Sequence, residues 1–183
     1  RGFQVQTLQL AQMPHIPDNT DLLVIASPQS DYLPGELARI RQYVQTVGHL
    51  LWLTEPDNGE RLARLAEDVG IRRHDGVVVD GEAQLFGTDT PDFAAIIDYG
   101  DHPGVNGLDQ LSLFPQPAAL ESLDTGGWHH SALLRTREQS WAETGPIEGE
   151  IDFDADAGET RGPLTLGWAA RRGPPAEGDE QPT

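Results

Sequence analysis

The sequence predicts an α/β domain with a mainly parallel sheet flanked by helices. Three short apolar runs, at residues 21–26, 49–54 and 76–80, alternate with segments of helical spacing at 33–47 and 60–69. A short, nearly continuous apolar run is typical of a strand covered on both faces, as in parallel sheets. The alternation of strand and helix favours right-handed crossover connections between neighbouring parallel strands.

The chain opens with residues 3–10, where apolar and polar side chains alternate. This period of two predicts a strand with one covered face. A proline-containing loop at 13–20 follows, and the apolar run 21–26 then ends at Ser27-Pro28.

The two predicted helices carry their own start and stop signals. In 33–47, Pro34 suits the first turn and Glu36 suits the positive end of the helix dipole. Gly48 and Gly70 follow the two helices and are typical of helix ends.

The second half of the sequence is less regular. Residues 93–99, 131–136 and 164–170 are predicted strands, and 118–123 is predicted to form a short helical turn. We expect residues 1–170 to form one domain. Residues 171–183 have almost no apolar content and are predicted to form a disordered, acidic, Pro/Gly-rich tail.

Composition excludes several functional classes. The 183 residues carry 30 acidic side chains against 12 basic ones, all arginine, for a net charge of −18. Nucleic acids and anionic membrane surfaces need positive charge on the protein, so neither is predicted as a partner. The absence of cysteine excludes disulfides, thiolate metal sites and cysteine nucleophiles. A saline habitat and an ordinary acidic surface from a GC-rich genome both explain the acidity.

Polar residues follow the predicted strands, where open α/β sheets usually bind their ligands. These candidates for ligand or partner binding are Ser27, Glu55, Asp101, His102, Ser140 and Trp141. The alternative is that strand ends always carry polar turns. Asp101 and His102 are a candidate acid–base pair, but adjacent side chains tend to diverge, and a turn fixed by Pro103 is the simpler interpretation.

We predict no catalytic residues, no resident metal and no cofactor. The nitrogens of His102, His129 and His130 lack the spacing of a zinc site. Asp152, Asp154 and Asp156 are calcium candidates, although the Gly and Glu of an EF-hand loop are replaced by Ala157 and Pro163. No phosphate-binding glycine motif and no nucleophile elbow is present in the sequence.

A series of phrases, in order, resembles the GldG-like auxiliary domain of uncharacterised ABC-type transport systems, a family associated with gliding motility. The phrases are DLLVIASP, ELARIRQYVQTVGHLLWLTEP, VVVD, DYGDHP, LFPQPAALE, LLRTREQSWAET and GPLTLGWA. The resemblance covers residues 3–170. It implies a flavodoxin-like or class I glutamine amidotransferase-like sandwich on the extracytoplasmic, periplasmic face of the inner membrane, as a soluble domain of a membrane-anchored parent.

Departures from the family pattern limit what the resemblance implies. The family's early strand with a G-H-G-E-like phrase is missing, so we expect the chain to start at the second strand of that fold. Gly48-His49 stands where relatives often have Gly-Gly. The nucleophilic cysteine of the amidotransferases is absent, and the family brings no established catalytic residues.

These observations predict a non-enzymatic accessory domain of an ABC-type transport system. It would bind ABC permease or ATPase subunits, a companion auxiliary protein or, less simply, a solute. The alternative is a hydrolase acting on carbohydrate or peptide with carboxylates such as Glu55 and Asp101. A third possibility is a calcium-stabilised structural module.

Overall fold

Strands and short connections make up most of the chain. A computed structural model describes residues 2–46, 48–56, 62–88, 90–124, 127–148 and 151–173. The chain divides into two compact units. Unit 1 comprises Arg1–Thr54 and Asn58–Leu65, and unit 2 comprises Glu55–Asp57 and Ala66–Thr183.

Unit 1 contains the predicted strand–helix–strand arrangement. Strand β1 (Leu23–Ala26), helix α1 (Pro34–Thr46) and strand β2 (Leu50–Leu53) follow one another, and β1 pairs with β2 in parallel. The start of α1 is fixed by Glu36, whose Oε2 accepts the Leu33 N–H at 2.9 Å. The three predictions for this region are therefore confirmed.

The core of unit 1 lies between α1 and one face of the β1–β2 sheet. Ile40 and Leu65 are fully buried there, and Leu65 comes from helix α2 (Ala63–Asp68). Burying one such aliphatic side chain contributes about 1.5–3 kcal/mol. The remaining buried members are Leu10, Ile16, Leu23, Ile25 and Leu62.

The N-terminal segment does not form the predicted strand. Residues 2–9 have no regular secondary structure, and a 3-10 helix at Leu10–Gln12 follows them. Phe3 and Val5 are 87% and 93% exposed. The alternating pattern marks a segment suited to a strand, but it does not supply a neighbouring strand to pair with.

Unit 2 is built from small antiparallel sheets. Its strands are β3 (Ile71–Arg73), β4 (Val77–Asp80), β5 (Phe93–Ile96), β6 (Asp98–Tyr99), β7 (Ser112–Pro115), β8 (Leu120–Ser122), β9 (Trp128–Arg135), β10 (Ser140–Glu143), β11 (Thr160–Arg161) and β12 (Thr165–Arg172). They form four sheets with the orders β11-β10-β4, β12-β9-β6, β3-β8 and β5-β7. Every pairing described in this unit is antiparallel.

The prediction of a mainly parallel sheet, and with it the flavodoxin-like or class I glutamine amidotransferase-like sandwich, is therefore wrong. The third apolar run, β4, does not join β1 and β2 but pairs with β10, with Val79 opposite Trp141. All four residues of β10 are buried. An antiparallel strand covered on both faces has the same apolar composition as a parallel one, so composition could not separate the two.

Other local predictions also differ from the structure. Residues 118–123, predicted as a helical turn, contain strand β8. The predicted strand 93–99 is divided into β5 and β6. Strand β12 continues to Arg172, while residues 174–183 of the predicted tail lie outside the described residues.

Charge is divided unevenly between the two units. Unit 1 has five arginines and five acidic residues, whereas unit 2 has seven arginines and 25 acidic residues. The whole net charge of −18 therefore belongs to unit 2. Within the described part of the chain, neither α-helix has the length and apolar character that crossing a membrane requires.

Candidate functional site

An exposed apolar surface surrounds the connection between β5 and β7 in unit 2. We call residues 97–113 the hairpin surface. Four of its apolar side chains are between 38% and 60% exposed, and they are Ile97, Leu108, Leu111 and Leu113. Four exposed apolar side chains within residues 97–113 make this segment a candidate interaction site, since exposed apolar patches mark such sites.

The base of the hairpin surface is held against β9 by a glycine. The Gly100 N–H donates to the Leu133 carbonyl at 3.0 Å. A Cβ at position 100 would lie 1.7 Å from the Ala132 carbonyl oxygen, so no side chain fits there. On the other side, the Tyr99 hydroxyl donates to the Gln110 carbonyl at 2.7 Å.

Asp101 and His102 lie in a tight turn directly after this glycine. The carbonyl of His102 accepts the N–H groups of Val105 and Asn106, each at 2.9 Å, and Val105 is buried. The ring Nδ1 of His102 accepts the Gly104 N–H at 3.0 Å, so a neutral ring carries its proton on Nε2. These bonds fit the turn interpretation.

The acid–base interpretation of this pair has no geometric support. In the described structure, no hydrogen bond or ion pair joins the carboxylate of Asp101 to the ring of His102. Asp101 is exposed, and its side chain faces solvent beside the turn.

The electrostatics of the hairpin surface are acidic. Residues 97–113 contain Asp98, Asp101 and Asp109 and no arginine or lysine. Asp98 lies 3.8 Å from the Arg135 guanidinium on β9. Protein interfaces combine apolar and polar side chains, and residues 97–113 supply both kinds at the surface.

Two other predicted site residues, Ser140 and Trp141, are interior. The Ser140 hydroxyl donates to the Arg137 carbonyl at 2.7 Å and lies 2.6 Å from the Thr136 hydroxyl. Thr136 Oγ1 in turn accepts the Leu164 N–H at 2.7 Å. Both residues are buried, with roles in the packing of β10, and no bond in the described structure links them to Asp101 or His102.

Trp141 forms a hydrogen bond with the carboxylate of Glu143, which was not among the candidate residues predicted from the sequence. Its indole N–H donates to Glu143 at 3.0 Å, and Gly145 N–H donates to the other oxygen at 2.8 Å. Burial alone would raise the pKa of Glu143, but these bonds and one from Glu159 together lower it. The pKa of Glu159 is raised, by burial and by the hydrogen bond and charge of Glu143. The two carboxyls therefore shift in opposite directions, and Glu143 is the more acidic of the pair.

The remaining candidates, Ser27 and Glu55, follow β1 and β2. Ser27 has a φ of +39° and its N–H donates to the Leu53 carbonyl at 3.0 Å, so it ends the parallel ladder. Glu55 is exposed and belongs to unit 2. The six predicted residues are thus distributed over both units.

The calcium candidates are used in local turns. Asp154 is the N-cap of a 3-10 helix at Ala155–Ala157, and its Oδ1 accepts the Asp156 N–H at 2.9 Å. Asp152 is exposed. Within the described ranges, no group of three or more histidine, cysteine or acidic residues is arranged to hold a metal ion.

The histidine pair on β9 has separate environments. His129 is exposed, whereas His130 Nε2 lies 2.7 Å from the Val69 carbonyl and the ring packs edge-on against Trp168. Consecutive residues of a strand point to opposite faces, so these two rings do not converge on one ion.

A pocket of about 240 Å³ lies beside α1 in unit 1. It is lined by Tyr32, Pro34, Leu37, Ala38, Arg41 and Arg64. Neither Glu55 nor Asp101 lines it, so this pocket does not supply the carboxylate pair that the hydrolase alternative needs.

A buried charged group at the end of β4 was not among the residues predicted from the sequence. Asp80 is 1% exposed, and its Oδ2 lies 3.7 Å from Arg137 Nη1. The same guanidinium hydrogen-bonds Glu82 and lies 4.9 Å from the Phe86 ring centroid. The only sequence signal was an aspartate closing the apolar run 77–80, and the group ties β4 to the β9–β10 connection.

Comparison with known proteins gives one match. A family model described as an ABC-type uncharacterized transport system, auxiliary, matches residues 1–173. No curated protein and no solved structure matches the chain. Because the family model spans nearly the whole sequence, the chain belongs to the auxiliary family of ABC-type transport systems.

Proposed function

We propose that this chain is a non-enzymatic accessory domain that acts outside the cytoplasm by binding a protein component of its ABC-type transport system through the hairpin surface. Family membership supports the accessory role. The observation that carries the binding site is the exposure of four apolar side chains around the Asp101–His102 turn.

The charge of this surface defines the chemistry of its partner. The three aspartates of residues 97–113 favour a partner whose apolar contact area is bordered by arginine or lysine. ABC permease or ATPase subunits and companion auxiliary proteins are the candidate partners. We do not propose a solute as the ligand of this surface, since small molecules bind in concave pockets and the pocket beside α1 is lined by none of residues 97–113.

Co-purification with the transporter tests the proposal. Asp101→Ala and His102→Ala together should abolish complex formation with the co-expressed permease and ATPase. The matched control combines Asp152→Ala and His129→Ala, which remove one exposed carboxylate and one exposed imidazole elsewhere in unit 2. Equal recovery of the transporter by both double variants would exclude the hairpin surface as the contact.

The extracytoplasmic location has its own test, because the chain contains no cysteine. A single Leu85→Cys side chain, at a position 75% exposed, provides one thiol. In cells with an intact inner membrane, a maleimide that cannot cross that membrane should label this thiol in the full parent protein. Labelling only after the inner membrane is disrupted would contradict the location.

A further inference from the structure

The β1–β2 sheet of unit 1 has two apolar faces. Leu23 and Ile25 point into the core, while the alternate residues of β1 point the other way. Val24 is in register with Leu51, and Ala26 with Leu53. We call the surface formed by Leu22, Val24, Ala26, Leu51 and Leu53 the outer face. Its four larger side chains are between 40% and 51% exposed.

Parallel strands normally have both faces covered by helices. Here α1 and the core of unit 1 cover the inner face. Among the residues of unit 1 that the structure describes, none buries the outer face. Its five side chains are all aliphatic, and no charged side chain stands among them.

The dimensions of the outer face indicate what fits it. Two strands of four residues are about 13 Å long and lie about 4.8 Å apart. A helix about 10 Å wide covers this width, and about nine helical residues cover this length. A stable dimer between two copies needs about 800 Å² from each partner, which is much more than a two-stranded face offers.

The charge of unit 1 also restricts the occupant. With five arginines and five acidic residues, this unit has no net charge to attract a charged segment. Affinity would therefore come from apolar burial, at about 25 cal/mol per Å².

We infer that the outer face docks one amphipathic helix of a partner protein, through an apolar stripe at positions i, i+3, i+4 and i+7. As in other complexes that bind an amphipathic helix by its apolar stripe, a single helix would supply the second cover of the sheet. The outer face lies in unit 1 and the hairpin surface lies in unit 2. An experiment can therefore refute the proposal for one surface without refuting the proposal for the other.

Titration of a helical peptide into the isotope-labelled chain, followed by NMR, tests the inference. The probe is a synthetic 14-residue helix with leucine at the stripe positions and balanced Glu/Lys elsewhere. A peptide of the same composition with the leucines scrambled is its control. Backbone amide shifts confined to residues 22–26 and 50–54 with the first peptide alone are expected.

Substitution on the face completes the test. Leu51→Asp, or Leu53→Asn as a second variant, should weaken binding of the probe at least tenfold, whereas Leu85→Asp in unit 2 should leave it unchanged. Circular dichroism confirms that each variant is folded. Absence of shifts at the outer face would overturn the inference. Shifts that appear on concentrating the chain alone and vanish in Leu51→Asp would also overturn it, by assigning the face to a second copy.

Discussion

Trp141 donates its indole N–H to the Glu143 carboxylate at 3.0 Å, and both side chains are buried in unit 2. Hydrogen bonds to a charged group contribute about 1.5–3 kcal/mol each. Glu143→Gln should therefore lower the free energy of unfolding by about 2 kcal/mol, because the amide NH2 places a donor against one of the two N–H groups that need an acceptor. Urea denaturation at pH 7 measures the loss. Glu138 is exposed, so Glu138→Gln should change the free energy of unfolding little. Equal decreases for the two variants would contradict the stabilising role of Glu143.

Glu159→Gln should behave in the opposite way. The pKa of Glu159 is raised, so folding disfavours its charged form, and glutamine removes that charge. Its amide oxygen can still accept the Asp154 N–H, which reaches Glu159 at 2.6 Å. We expect urea denaturation at pH 7 to show stability equal to or slightly above that of the wild type. A loss as large as that of Glu143→Gln would contradict the raised pKa of Glu159.

Glu143 and Glu159 also make the stability of the folded chain depend on pH. Because the pKa of Glu143 is lowered on folding, its contribution is present above the unfolded-state pKa of about 4.3 and is lost as the pH falls through the folded-state value. Because the pKa of Glu159 is raised, its contribution is full at low pH and is lost as the pH rises through its folded-state value. The stability gained by Glu159→Gln should therefore grow from pH 4 to pH 7. Thermal melts across this range measure it, and a gain that shrinks would reverse the assignment.

The two faces of β1 and β2 should respond differently to truncation. Ile25 is 4% exposed on the inner face, so Ile25→Ala should lower the free energy of unfolding by about 2–5 kcal/mol. Leu53 is half exposed on the outer face, so Leu53→Ala should lower the free energy of unfolding by less than about 1 kcal/mol. Urea denaturation of both variants measures the difference. Equal costs would mean that the outer face is covered within the chain itself.

The strand–helix–strand unit of unit 1 was predictable because its pairing is local. The residues of β1, α1 and β2 carry apolar periodicity and stop signals, and the two strands pair across one short crossover. Strand β4 has the same apolar composition, yet its partner β10 lies about 60 residues further along the chain. No local pattern specifies so distant an antiparallel partner.

The candidate site was predictable only in part, for a related reason. Asp101 and His102 were predicted as candidates because a polar turn follows an apolar run, and they lie within residues 97–113. Ser140 and Trp141 also follow an apolar run. They lie in strand β10, however, which pairs with β4 and is buried along its whole length. The apolar part of the hairpin surface, such as Leu111, could not be identified, since exposure of a leucine depends on which strands cover it.

Gly100 offers a test of the hairpin surface that leaves Asp101 and His102 in place. A Cβ there collides with the Ala132 carbonyl, so Gly100→Ala should displace the turn from β9. We expect transporter binding to fall at least tenfold. Gly81→Ala is the control, because a Cβ there would meet its nearest neighbour, the Trp141 ring, at 3.4 Å, an ordinary contact distance. Unimpaired binding by Gly100→Ala would show that the position of the turn is unimportant.

The hairpin surface is proposed to contact a component of the ABC transporter. A photo-crosslinking amino acid at Leu111, compared with one at Leu85 outside residues 97–113, tests that contact directly. We predict that the probe at position 111 forms a covalent product with the permease or ATPase and that the probe at position 85 does not. Equal products from both positions, or none from position 111 in an assembled complex, would contradict the claim.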